Sequence, residues 1–196
     1  GSATEHLELR QAFLLTNSAW ISIALFGSLP FLLSDIDMSF IDAFFESTSG
    51  ITTTGATVIE NLEEKSHGIL IWRALLQWLG GVGIIVMALA VLPMLSIGGM
   101  QLFKTESYET PDKVVPKAAS FAAGISIVYI TLTIIWAFML WGAGMSIFDS
   151  IAHAMTTLAT GGYSTKSESL AAFNSSTIEI IIIFGMLVGS LPFVHY

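Results

Sequence analysis

Four long stretches of the chain carry no charged residue: 11–33, 74–103, 118–148 and 180–196. A helix crossing the hydrocarbon of a bilayer needs about 20 predominantly apolar residues. The pattern therefore predicts spanning helices over 10–33, 69–95, 117–143 and 177–196. The third stretch is too long for one straight span, and Gly142 and Gly144 mark a helix end with a short second element starting near Ser146. Ser34, Asp35 and Asp37 make the same break after the first stretch, with a short segment starting near Ser39. Helix, short helix, loop, helix thus occurs twice.

A constant shift of 107 positions relates the two halves: Arg10 falls on Lys117, Ser39 on Ser146, Asp42 on Asp149, Gly55 on Gly162 and Thr57 on Ser164. In "SFID" and "SIFD" a serine is followed three residues later by an acid, a variant of the capping box. Asp42 and Asp149 are accordingly expected to be helix caps. About a dozen residues further on come "ITTTGAT" at 51–57 and "LATGGYS" at 158–164. A helix of roughly 18 Å starting at each cap would end inside the membrane, and irregular backbone at that depth survives only when buried in protein or lining a watery cavity. Re-entrant loops are the expectation.

Composition agrees. Hydrophobic residues make up 54% of the 196 and charged residues 11%, with a mean hydropathy of +0.76, which does not suit a water-facing surface. There is no cysteine, so disulfides and thiolate metal sites are excluded. The formal charge of −8 argues against nucleic acid as a partner. Gly1-Ser2 resembles a cloning scar, and no cleavable signal peptide is expected.

Such loops suit a monovalent cation. Glycine lets successive carbonyls point the same way, threonine adds hydroxyl oxygens, and together they can replace an ion's water. The C-terminal end of each short helix adds partial negative charge. The alternative is a pair of Gly/Thr loops that merely pack between helices.

The stretches "FFESTSGITTTGATV", "WRALLQWLGGVGIIVMALAVLP" and "AMTTLATGGYST" resemble the first two membrane-pore-membrane units of the Trk/Ktr/HKT superfamily of potassium transporters, nearest to its bacterial TrkH branch. The likeness covers nearly the whole chain. It implies an all-α, potassium-channel-like membrane protein of the bacterial cytoplasmic (inner) membrane, with a pore of four such units and one filter glycine in each. Carried over, Gly55 and Gly162 are those glycines, and potassium would sit at the carbonyls of Thr53, Thr54, Thr160 and Gly161. Thr52, Ala56, Thr57, Tyr163 and Ser164 would support the filter. Some plant relatives that prefer sodium have serine at the first glycine; glycine at both positions here favours potassium. The resemblance also implies a cytoplasmic nucleotide-binding regulatory subunit of the Trk type. Potassium is the substrate, and no cofactor is expected.

This chain departs from the family in having two loops where the pore needs four, so it is expected to be a portion of a longer transporter or to assemble as a homodimer. Its units are expected at 10–100 and 117–196, after a tag remnant and lead at 1–9, with a polar cytoplasmic linker at 101–116.

Arg10, Lys104, Lys113 and Lys117 would then lie inside, a weak positive-inside bias. Acidic residues outside, Glu63 and Glu179 among them, either concentrate cations at the mouth or form an ordinary solvated rim. Glu46 and His153, repeat partners in the short helices, are expected to buttress the filter by polar contacts, with direct ion binding as the alternative. Arg73, between Trp72 and Trp78 along the helix, suits an interfacial anchor, with pairing to an outer acid second. "LGGVG" at 79–83 and "GMLVG" at 185–189 suit close helix packing, and Pro30 and Pro93 suit kinks or helix ends. No nucleophile elbow, P-loop, spaced histidine cluster or dinucleotide fingerprint occurs, which argues against an enzyme. Two readings remain: potassium transport, by channel or symport, and a non-conducting or oligomerising membrane scaffold.

Overall fold

A computed structural model describes residues 9–95 and 114–191. Residues 1–8 of the expected lead, 96–100 of the expected first unit, most of the 101–116 linker with Lys104 and Lys113, and the last five residues of the fourth span lie outside them. Among the described residues seven α-helices follow in order: α1 (Leu9–Gly27), α2 (Leu29–Leu32), α3 (Phe40–Ile51), α4 (His67–Leu95), α5 (Val114–Gly142), α6 (Ile147–Leu158) and α7 (Ser176–Ser190). Short 3-10 turns at Leu62–Glu64 and Ser169–Phe173 precede α4 and α7. No strand occurs among the described residues. The short helices α3 and α6 have 12 residues each and stand 107 positions apart at both ends, so the repeat read from the sequence is a repeat of structure.

Local chemistry sets the helix ends. Ser39 and Ser146 are N-caps whose side chains accept from the backbone N–H of Asp42 and Asp149, 3.1 Å in each case, while the two hydroxyls donate back to the carboxylates at 2.7 Å. Between α1 and α2 the chain kinks rather than stops. Pro30 has no N–H to give, Phe31 bonds to the Ser28 carbonyl instead of that of Gly27, and the freed Gly27 carbonyl accepts from the Trp72 indole at 3.0 Å. α5 begins three residues before its expected start, with Pro116 in the first turn, where a missing N–H costs nothing.

Phe13–Leu32 and Ala123–Gly142 are each long and apolar enough to cross a bilayer, and Ser176–Ser190 is a shorter apolar helix. Large apolar side chains such as Phe26, Leu33, Phe138, Trp141 and Phe184 face outward, a surface fit for lipid. Each half has its own core, around Phe31, Ala43 and Leu76 in the first and around Tyr129, Leu140 and Leu158 in the second. α4 joins them, because Ala74 packs against Ala152 and Met155 of α6. Small residues allow this closeness. A Cβ on Gly80 would strike the Ile51 carbonyl at the end of α3, and one on Gly189 would strike that of Leu158 at the end of α6.

Candidate functional site

The two Thr/Gly loops leave their helices in one hydrogen-bonding register. After α3, the N–H of Thr53 donates to the Gly50 carbonyl at 3.0 Å and that of Thr54 to the Ser49 carbonyl at 2.9 Å. After α6, Thr160 donates to Thr157 and Gly161 to Thr156, both at 2.9 Å. These paired bonds are a Schellman helix ending, which wants a left-handed residue, ordinarily glycine, at its pivot. The end of α5 obeys, with Gly144 at φ +107°. The two loops use Thr53 at φ +54° and Thr160 at φ +52°. A β-branched residue held there is strained by roughly 1–3 kcal/mol, and such strain gathers at functional sites.

Gly55 and Gly162 follow at φ +81° and +83°. Their surroundings differ. A Cβ on Gly55 would collide with the Gly161 carbonyl of the other loop, whereas one on Gly162 would meet nothing within 4 Å. The Gly161 carbonyl also accepts from the Gln77 side-chain amide at 2.9 Å. Among the described residues no protein donor reaches the carbonyls of Thr53, Thr54 or Thr160. Thr54 Oγ1 donates to Thr52 Oγ1 at 2.8 Å, since the Thr52 hydroxyl is already given to the Thr48 carbonyl at 2.7 Å.

Behind the first loop lies a buried ion pair. Arg73 Nε donates to Glu46 Oε1 at 2.7 Å, with both side chains about 1% exposed or less. This corrects the reading of Arg73 as an interfacial anchor, and its acid is Glu46 of α3 rather than an outer one. Buried this deeply, a guanidinium needs a charge partner and acceptors for its remaining N–H groups, and it has them. Nη1 donates to the Ser164 carbonyl and Nη2 to Thr57 Oγ1, each at 3.0 Å, and the guanidinium carbon sits 4.2 Å over the Tyr163 ring. Thr57 and the Val58 N–H complete the shell around the Glu46 carboxylate. Tyr163 donates to the backbone carbonyls of Glu46 and Ala56 at 2.9 and 3.1 Å, and Ser49 Oγ also donates to Ala56.

His153, the repeat partner of Glu46, is buried and forms no salt bridge among the described residues. Its Nδ1 faces the Asp149 carbonyl at 2.8 Å and must donate, and its Nε2 is hydrogen-bonded to Ser164 Oγ at 3.0 Å. Glu46 and His153 are thus each hydrogen-bonded to the loop that follows their own helix. Behind this loop a cavity of about 180 Å³ is lined by His153, Thr156, Thr160 and Ser164 among others.

Toward the loop ends, Asp149 Oδ1 accepts from Thr165 Oγ1 at 2.6 Å. Glu63 accepts from Ser167 twice, from its N–H at 2.8 Å and its hydroxyl at 2.6 Å, and these bonds hold its carboxyl below the ordinary 4.5. Glu63 is thus an exposed carboxylate hydrogen-bonded by Ser167, beyond the second loop.

Thr52, Ala56, Thr57, Glu46, Tyr163 and Ser164 converge with Thr53 to Gly55 and Thr160 to Gly162 around α4. Gln77 was not foreseen. Its signal was available: Arg73 and Gln77, four residues apart, put two polar side chains on one face of an otherwise apolar helix.

The family model for TrkH, described as a cation transport protein, matches residues 2–196. The chain is 44% identical over 188 residues to the Trk system potassium uptake protein TrkI of Halomonas elongata, covering 95% of this chain and 38% of that protein. It is 43% identical over 186 residues to TrkH of Escherichia coli K12, covering 93% and 38%. The crystal structure of the potassium transporter TrkH from Vibrio parahaemolyticus superposes with a TM-score of 0.83 at 42% identity, over 96% of this chain and 37% of that one. The chain thus spans under two-fifths of the length of these relatives. With its repeated helix pairs and Thr/Gly loops, it is an all-helical membrane protein that belongs to the TrkH family of cation transport proteins.

Proposed function

We propose that the chain supplies two of the four filter loops of a potassium uptake pore in a bacterial cytoplasmic membrane, as a transport protein and not an enzyme. α3 and α6 act as pore helices, and the loops after them re-enter the membrane. The carbonyls of Thr53, Thr54 and Thr160 face the ion, and that of Gly161 keeps one lone pair beside the Gln77 bond. The ring is completed by two further loops, from a longer chain or a second copy. Residues 10–100 and 117–196 are the two units, and the 101–116 linker lies on the cytoplasmic face, where a nucleotide-binding regulatory subunit docks.

The observation that carries this is the pair of left-handed threonines. Glycine would relax both helix endings, so two β-branched residues kept there support a demand for the hydroxyl at that spot. The unengaged carbonyls beside the negative ends of two helices suit a cation that has shed its water.

Radioactive rubidium uptake into liposomes holding the purified chain, with potassium and sodium as competitors, tests it. Uptake blocked by potassium more than by sodium is expected. No uptake from folded, inserted protein would refute conduction by this chain alone and favour a scaffold.

A further inference from the structure

Each loop has its own pore helix, yet the second loop is not held by its own second helix. Gly80 lies on the carbonyl that ends α3 and Gly189 on the one that ends α6, so the positions in α7 that correspond to Arg73 and Gln77 are Ile182 and Met186, both apolar. The polar support comes from α4 of the first unit instead. Gln77 is fully buried and grips the second loop at two points: Nε2 donates to the Gly161 carbonyl at 2.9 Å, and Oε1 accepts from the Tyr163 N–H at 3.1 Å. A side chain that donates to one peptide group and accepts from the next fixes the rotation of the backbone between them, which here is Gly162. That residue is a glycine with nothing within 4 Å of where a Cβ would be. Left to itself it has the most freedom of any position in the loop.

The Gly161 carbonyl that Gln77 holds is also the atom that lies against Gly55 of the first loop. Any rotation of Gly161 would therefore be felt in both loops. Arg73, one turn earlier on the same helix, adds a third grip through the Ser164 carbonyl, but it is also bound to Glu46. Gln77 makes both of its bonds to the second loop.

From this geometry we infer that Gln77 is a positioning residue for ion selectivity: it sets the spacing of the two filter loops from outside the pore by clamping Gly161 and Tyr163, and touches no ion itself. This rests on the potassium pore proposed above. Losing the clamp leaves the Gly162 peptide free to turn. A loop that can relax around a smaller ion discriminates less, so the effect falls on preference more than on rate.

The test compares Gln77→Glu and Gln77→Met with the unaltered chain in the rubidium assay, scoring the ratio of sodium to potassium needed for half-inhibition. Glu keeps the acceptor for Tyr163 but sets a carboxylate oxygen against the Gly161 carbonyl; Met keeps the length and removes both bonds. Losing bonds of this kind is worth about a tenfold change in an equilibrium, so the ratio is expected to fall about tenfold in both variants, with melting temperatures within a few degrees of the parent. If Glu prevents folding, Met alone decides. An unchanged ratio in a folded variant, with or without slower uptake, would overturn the inference. A parent chain with no preference for potassium would overturn the proposed function, and the clamp's role in selectivity with it.

Discussion

Where α3 carries Glu46, α6 carries His153, and where α4 carries Arg73, α7 carries Ile182. The backbones of the two repeats nevertheless match in cap, in helix length and in every hydrogen bond of the helix ending. What the two repeats share is thus what the backbone needs locally. What differs is the side-chain support, because α4 lies between the two loops and serves both, whereas α7 offers only the apolar Ile182 and Met186 at the corresponding positions. An acid stands where an arginine pairs with it, and an imidazole where no arginine is at hand.

The largest break in this comparison should come from Arg73→Ala, which strands the Glu46 carboxylate. Removing one partner of a buried pair costs about 3–5 kcal/mol, so thermal unfolding in detergent should show a collapse in stability. His153→Ala removes two neutral hydrogen bonds and some packing and should cost less than half as much; equal losses would mean that the ion pair is not what distinguishes the halves.

Next come the glycines. Gly55→Ser must strain φ and displace the Gly161 carbonyl, whereas Gly162→Ser strains φ alone, by roughly 1–2 kcal/mol. Potassium preference over sodium in the uptake assay should fall in both and fall further in the first.

Thr53→Gly and Thr160→Gly sharpen the repeat rather than break it. Each relieves left-handed strain of roughly 1–2 kcal/mol against roughly 0.5–1 kcal/mol of added chain freedom. Melting should therefore rise by a small and equal amount while rubidium uptake drops.

The smallest effect belongs to Ser167→Ala. The bonds from Ser167 lower the Glu63 carboxyl in the folded chain, so their contribution is complete above the unfolded value near 4.5 and fades as pH falls through the lowered folded value. The substitution should return Glu63 toward 4.5, read by NMR titration of its carboxyl carbon, and flatten that part of the stability profile.

The legible parts of the fold and the site were the local ones. "SFID" and "SIFD" announce caps because serine and acid sit one turn apart, and Gly144 announces a helix end because its φ suits little else. The Thr/Gly loops stood out as polar residues in apolar surroundings. Arg73 was misjudged because flanking tryptophans suit an interface equally well, and its acid lies 27 residues back in another helix. Gln77 was passed over because a single uncharged amide leaves little mark on a hydropathy profile, and its partners are 84 and 86 residues away.

Those separations also set an order of assembly. Glu46 and Arg73 are both present once the first unit has been made, so the most expensive charge in the molecule can be neutralised before any of the second unit exists. The Tyr163 bonds, and those of Gln77, must wait for the chain to reach its second loop. A ribosome stalled between the units should leave a first half that is already quiet in the membrane, with one arm of Arg73 still open for the carbonyl of Ser164.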